Sequence, residues 1–113
     1  MSIKEVLETE FSEEFTQGMR DRMVVSYYKY GPIIDAYPNK VNAIESLKLR
    51  LDKYAETGNT EYLMDVGNFA MIEFILPNHK KAFYKATDSD KSPGRVWNRG
   101  NVVSVKRNNN KEA

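Results

Sequence analysis

Apolar residues recur along this chain mainly at helical spacing. Phe15, Met19, Met23 and Tyr27 step by four, with Val24 and Tyr28 beside them, a repeat that marks one face of a helix. Ser12 stands where an N-cap belongs and Gly31-Pro32 where the hydrogen-bond ladder must stop, so a helix over about 12–30 is predicted. Gly18 weakens it by about 1 kcal/mol relative to alanine. Val41, Ile44, Leu47, Leu51 and Tyr54 form a second stripe, capped by Asn39 or Asn42 and ended by Gly58. From Leu63 to Leu76 the chain is apolar almost all round, as expected of the most buried helix.

A turn of about three residues separates these last two segments, so 42–57 and 61–76 are predicted to form an antiparallel pair. Ser2 and Glu5 have capping-box spacing, which places a short helix over Ile3–Thr9. Ile33, Ile34 and Tyr37 suggest that the connector 32–38 packs on the body. Asn78 is a candidate cap for a last short helix carrying Ala82, Phe83 and Ala86. Beyond it, Thr87 to Arg95 is polar and turn-rich, and Val102–Val105 has the look of a short strand. The expected fold is an all-α domain over 1–90, with an extended, basic, partly disordered tail over 91–113.

At 113 residues with 41% hydrophobic content, the chain suits one modest core. The longest apolar run, 69–76, is too short for the roughly 20 residues a bilayer requires, and no membrane association is expected. The chain has no cysteine, which excludes disulfides and thiolate chemistry. With no signal-peptide pattern at the start, a cytoplasmic setting is expected. The net charge of +1 hides an asymmetry. Residues 91–113 carry six basic side chains and one acidic, leaving the first 90 residues at −4. A basic tail on an acidic body is able to fold back or to touch a polyanion such as nucleic acid.

Three places are candidates for chemistry. Glu61, Asp65 and Asn68 fall within about 60° of one another on a helix. Such a stripe faces water, a neighbouring helix that offers Glu45 and Arg50, or a hard cation. Gly67 beside it permits close approach of a partner. Second, Ser92-Pro-Gly-Arg95 is a turn presenting an arginine, suited to forked contact with phosphate or carboxylate, and Trp97 either stacks on a base or anchors the tail. Third, Tyr27, Tyr28 and Tyr30 beside Lys29 are read as half core and half exposed, the exposed part suited to base stacking or to a protein interface. The lone His79 has no nucleophile at a recognisable spacing and reads as a surface or capping residue.

Two resemblances bear on function. The run Tyr28-Lys-Tyr30-Gly-Pro32, Leu51-Asp-Lys-Tyr54, Thr57-Gly-Asn-Thr-Glu61, Met71-Ile-Glu-Phe74, Ala86-Thr-Asp-Ser89 and Ser92-Pro-Gly-Arg95 resembles small uncharacterised proteins encoded by bacteriophages. That implies a non-catalytic accessory protein acting in the host cytoplasm. It would inhibit a host protein, such as a defence factor, or sequester a signalling nucleotide. Contact residues are then expected among Arg95, Trp97, Tyr28, Tyr30 and Arg50. More locally, Leu63-Met-Asp65-Val-Gly-Asn68-Phe-Ala-Met71 is similar to the second metal-binding helix of the MazG-like all-α nucleotide pyrophosphohydrolases. This resemblance implies Mg²⁺ held by Glu45, Glu61, Asp65 and Asn68, with hydrolysis of a nucleoside triphosphate. Lys48 stands where that family's first helix usually carries a second glutamate, and the Glu61–Asp65 spacing is four rather than three. A homo-oligomer is expected, because so short a helical chain leaves an apolar face for a second copy to cover.

Overall fold

The computed structural model describes residues 1–88 and 93–98. It divides into two units, Met1–Ala82 and Phe83–Ala113. The first holds every helix among the described residues. α1 is Ile3–Glu10, α2 is Glu13–Tyr30, α3 is Ala43–Thr57 and α4 is Glu61–Ile75, with a single 3₁₀ turn at Ile33–Asp35. Among the described residues there is no strand, so the all-α expectation holds. The expected strand at 102–105 and the disordered end of the tail lie outside the described residues.

Local chemistry sets the boundaries. The Ser2 hydroxyl accepts from the Glu5 amide while the Glu5 carboxylate accepts from the Ser2 amide, 3.1 and 2.7 Å, closing the capping box. Ser12 accepts from Phe15 N and Asn42 from Glu45 N, each at 3.0 Å, satisfying amides that a first turn leaves unpaired. Gly31 ends α2 at φ 87° and Gly58 ends α3 at φ 75°, left-handed values that favour glycine. At the start of α4 the cap comes from Asn59, whose side chain accepts from Glu61 N.

α3 and α4 fold back on each other as predicted, and α2 packs on α4, which makes α4 the central helix. Two glycines let α2 and α4 approach. A Cβ on Gly18 would lie 2.5 Å from the Met64 sulfur, and one on Gly67 would lie 2.9 Å from the Met19 sulfur and 3.4 Å from the Phe15 ring. The core is thin. Among the described residues only Ala43, Ile72 and Asn68 are buried. Ile33 and Tyr37 of the connector are half-buried, whereas Ile34 faces solvent.

Four expectations need correcting. The short helix carrying Ala82, Phe83 and Ala86 does not form. The Asn78 and His79 amides donate to the Glu73 carboxylate at 2.9 and 3.2 Å, and the His79 ring accepts from Lys81 N. These bonds close a turn onto the end of α4 instead of starting a helix. In α3 the inward row is offset, because Leu51 is exposed while Arg50 faces α4. The last turn of α4 is only partly buried, with Ile72 covered but Phe74 80% exposed. The tyrosine cluster contributes no core, since Tyr27, Tyr28 and Tyr30 are all exposed and Tyr27 meets Tyr28 edge to face. In the second unit, residues 83–88 and 93–98 have no regular structure, and Gly94 adopts φ 79°.

The α2–α4 contact supplies a stability test. Gly67→Ala gains helix propensity of about 1 kcal/mol against displacement of a flexible methionine, so its denaturation midpoint should stay near that of the parent. Gly67→Leu overpacks the contact and should lose about 1–3 kcal/mol, measured by chemical denaturation. Equal tolerance of both would show that the helices are not in close contact there.

Candidate functional site, a basic cleft beside Asp65

Asp65 lies at the middle of α4 with its side chain 13% exposed. A carboxylate so covered is costly unless paired and hydrogen-bonded. Two other helices supply the pairing. Arg22 of α2 donates from Nε to Oδ1 at 2.6 Å and from Nη2 to Oδ2 at 3.3 Å, and Arg50 of α3 donates from Nε to Oδ2 at 3.0 Å. One turn earlier on α4, Glu61 takes Nη1 of Arg22 at 2.9 Å. Hydrogen bonding to Asp65 raises the Arg22 pKa against the opposing effect of burial, and the Asp65 and Glu61 charges raise it further. The guanidinium is therefore a fixed positive charge.

The polar stripe thus meets neighbouring helices. Asn68 follows the same logic, with Nδ2 donating to the Met19 carbonyl at 2.9 Å, which leaves Oδ1 buried and without a partner. Glu45 turns away to pair with Lys48 at 3.6 Å on the exposed side of α3. Among the described residues no group of three or more acidic or histidine side chains is placed to hold a metal ion. The Mg²⁺ ligand set expected of Glu45, Glu61, Asp65 and Asn68 is thus met by a different arrangement, in which guanidiniums take the two α4 carboxylates.

Around this hub the end of α2, the connector 31–41, α3 and α4 enclose a cleft of about 630 Å³. Its wall carries four cations, Arg22, Lys29, Lys40 and Arg50, and one carboxylate, Asp65. Arg50 meets Asp65 through Nε, and among the described residues its terminal nitrogens have no hydrogen-bond partner. Its guanidinium lies 5.5 Å from the Phe69 ring centroid, within cation–π range. Lys29 stands 5.8 Å from the Tyr30 ring, and within the described residues neither Lys29 nor Lys40 has a carboxylate partner. Tyr37 forms another aromatic wall. Burial pushes its hydroxyl above the ordinary tyrosine value, while the Arg50 charge pulls it back.

Of the residues singled out by sequence, the cleft brings together Arg50, Tyr30, Asp65 and Asn68. Tyr28 lines an adjoining apolar groove and not the cleft, and Arg95 and Trp97 belong to the second unit. Arg22, Lys40 and Phe69 were not singled out. Arg22, Val25 and Lys29 do share one flank of α2 by their three- and four-residue spacing, a signal that the stronger apolar stripe on the same helix masks.

Two outcomes test this geometry. Asp65→Ala leaves Arg50 without its carboxylate and Arg22 with Glu61 alone. Both are more than a third open to solvent or nearly so, which keeps the penalty below that of a fully buried pair. The expected loss is about 1–3 kcal/mol by chemical denaturation. For Tyr37 the folded-state pKa is the raised one, so its stabilisation is fully present below about pH 10 and is lost as pH rises through the folded value. The unfolding midpoint should fall more steeply on alkaline titration in the parent than in Tyr37→Phe.

No helix among the described residues is long and apolar enough to cross a membrane. No protein-family model, curated protein or solved structure matches the chain.

Proposed function

We propose that this protein is a non-catalytic binding module that captures a phosphate-bearing small molecule, a nucleotide, in the cleft beside Asp65. The observation that carries this reading is the wall itself, with four cations to one carboxylate and aromatic rings between them. Guanidinium and ammonium groups form strong, charge-assisted hydrogen bonds with phosphate oxygens. Tyr30, Tyr37 and Phe69 offer apolar surface for a base, and stacking of this kind is tolerant of base identity. The volume falls inside the roughly 300–1,000 Å³ usual for small-ligand sites.

The same contacts favour binding over turnover. Asp65, the cleft's carboxylate, already accepts three hydrogen bonds from two arginines, so both its oxygens are engaged within the fold. Ser46 donates its hydroxyl to the Asn42 carbonyl. His79 is tied into the turn after α4. Stoichiometric capture of a signalling nucleotide is also one of the roles that the resemblance to small phage-encoded proteins implies.

Thermal unfolding against linear and cyclic nucleotides, with and without Mg²⁺, tests the reading. A nucleotide at 100 times its dissociation constant should stabilise the fold by about 2.7 kcal/mol, and the shift should not require the metal. Arg50→Ala should weaken that ligand about 10–100-fold, the equivalent of about 1.5–3 kcal/mol for a hydrogen bond to a charged group. No shift with any nucleotide or with inorganic phosphate would overturn the proposal, as would an Arg50→Ala variant that binds like the parent.

A further inference from the structure

The basic cleft shares a wall with a second cavity. Met23, Ser26, Gly31, Pro32 and Ile33 line the cleft, and the same residues line a groove of about 530 Å³. Beyond that common wall the groove is built by Val24, Tyr27 and Tyr28, and no charged side chain lines it. Tyr28 is 83% exposed, and its ring meets that of Tyr27 edge to face with 5.5 Å between centroids. The groove therefore offers an open aromatic ring on an uncharged surface, next to a cleft that holds the cations.

The chemistry of the two walls says what spans them. Without a cation the groove does not hold a phosphate, whereas Lys29 follows Ser26 by three residues on one face of α2 and carries the cleft's positive charge up to the common wall. The hydroxyls of Ser26, Tyr27 and Tyr28 set hydrogen-bonding groups beside the apolar surface. An aromatic heterocycle uses that combination, and an alkyl chain would leave it unpaired. We infer that the cleft and the groove hold the two halves of one ligand, a dinucleotide in which two bases are joined through phosphate. This inference rests on the reading of the cleft as a nucleotide site. One base lies among the cleft's aromatic rings, the phosphates lie on Arg50 and Lys29, and the second base stacks on Tyr28. Stacking accommodates any base, so the assignment fixes how many bases the ligand carries and not which ones. Once the phosphates are seated, the tether delivers the second base to the groove at high effective concentration.

Isothermal titration calorimetry of the full chain with a matched pair of probes tests the assignment. ADP-ribose and diadenosine diphosphate carry the same diphosphate and the same charge, but only the latter has a second base. The two-base probe should bind the parent about 5–150-fold more tightly, the gain expected from one stacked base. In Tyr28→Ala, a change at a solvent-exposed position that should leave helical circular dichroism intact, the two probes should bind alike. Equal affinity of the parent for both probes would overturn the inference and leave the reading of the cleft standing. A gain that survives Tyr28→Ala would overturn it by placing the second base elsewhere. So would an octyl ester of ADP that gains as much as the two-base probe, because the groove would then be a general apolar surface. If neither probe nor inorganic phosphate binds, the reading of the cleft fails and this inference falls with it.

Discussion

Three helices of this protein meet on one carboxylate. Asp65 reaches α2 through Arg22 and α3 through Arg50, partners separated from it by 43 and 15 residues in sequence. With so few fully buried side chains, apolar packing alone specifies the helix arrangement weakly. A charged hub adds direction. Asp65 is satisfied only when both guanidiniums arrive from opposite sides, so sliding either helix past α4 would strip it of a partner. Buried polar networks of this kind raise the penalty for wrong arrangements more than they raise net stability.

Close approach is the condition that lets the hub form. Arg22 reaches Asp65 because Met19 and Met64 settle over glycines at the α2–α4 contact. Methionine suits that job, being unbranched and able to fill an irregular gap. The Asn68 amide then fixes the depth of the contact by donating to the Met19 carbonyl. Its other end has no hydrogen-bond partner among the described residues.

Helix positions were legible in the sequence because each rests on local chemistry. Ser2, Ser12 and Asn42 cap where they stand, and Gly31 and Gly58 stop helices by backbone freedom that other residues lack. The near-uniform apolarity of 63–76 correctly marked α4 as central. What was not legible depended on partners far along the chain. Periodicity placed Glu61, Asp65 and Asn68 on one face but gave no means of choosing between a cation and a neighbouring helix. The inward turn of Arg50 in place of Leu51 follows from the demand of Asp65, which no window within α3 contains. The turn after Pro77 was misread for the same reason, since its amides are claimed by Glu73 before any cap at Asn78 can act. Arg22 escaped notice because its role exists only once α2 and α4 are packed.

α2 joins these themes. One flank carries Arg22 and Lys29 into the cleft, and the other carries Val24 and Tyr28 onto the apolar groove. Gly31, Pro32 and Ile33 border both. An occupant on either side therefore bears on the same short segment, which is held by backbone hydrogen bonds from Asp35, Ala36 and Tyr37 back to Pro32 and Ile33. Ordering that segment from one side lowers the entropy left to lose from the other. A ligand in the cleft and an occupant of the groove would then favour each other, and by equal factors in the two directions, because coupling between binding free energies is reciprocal.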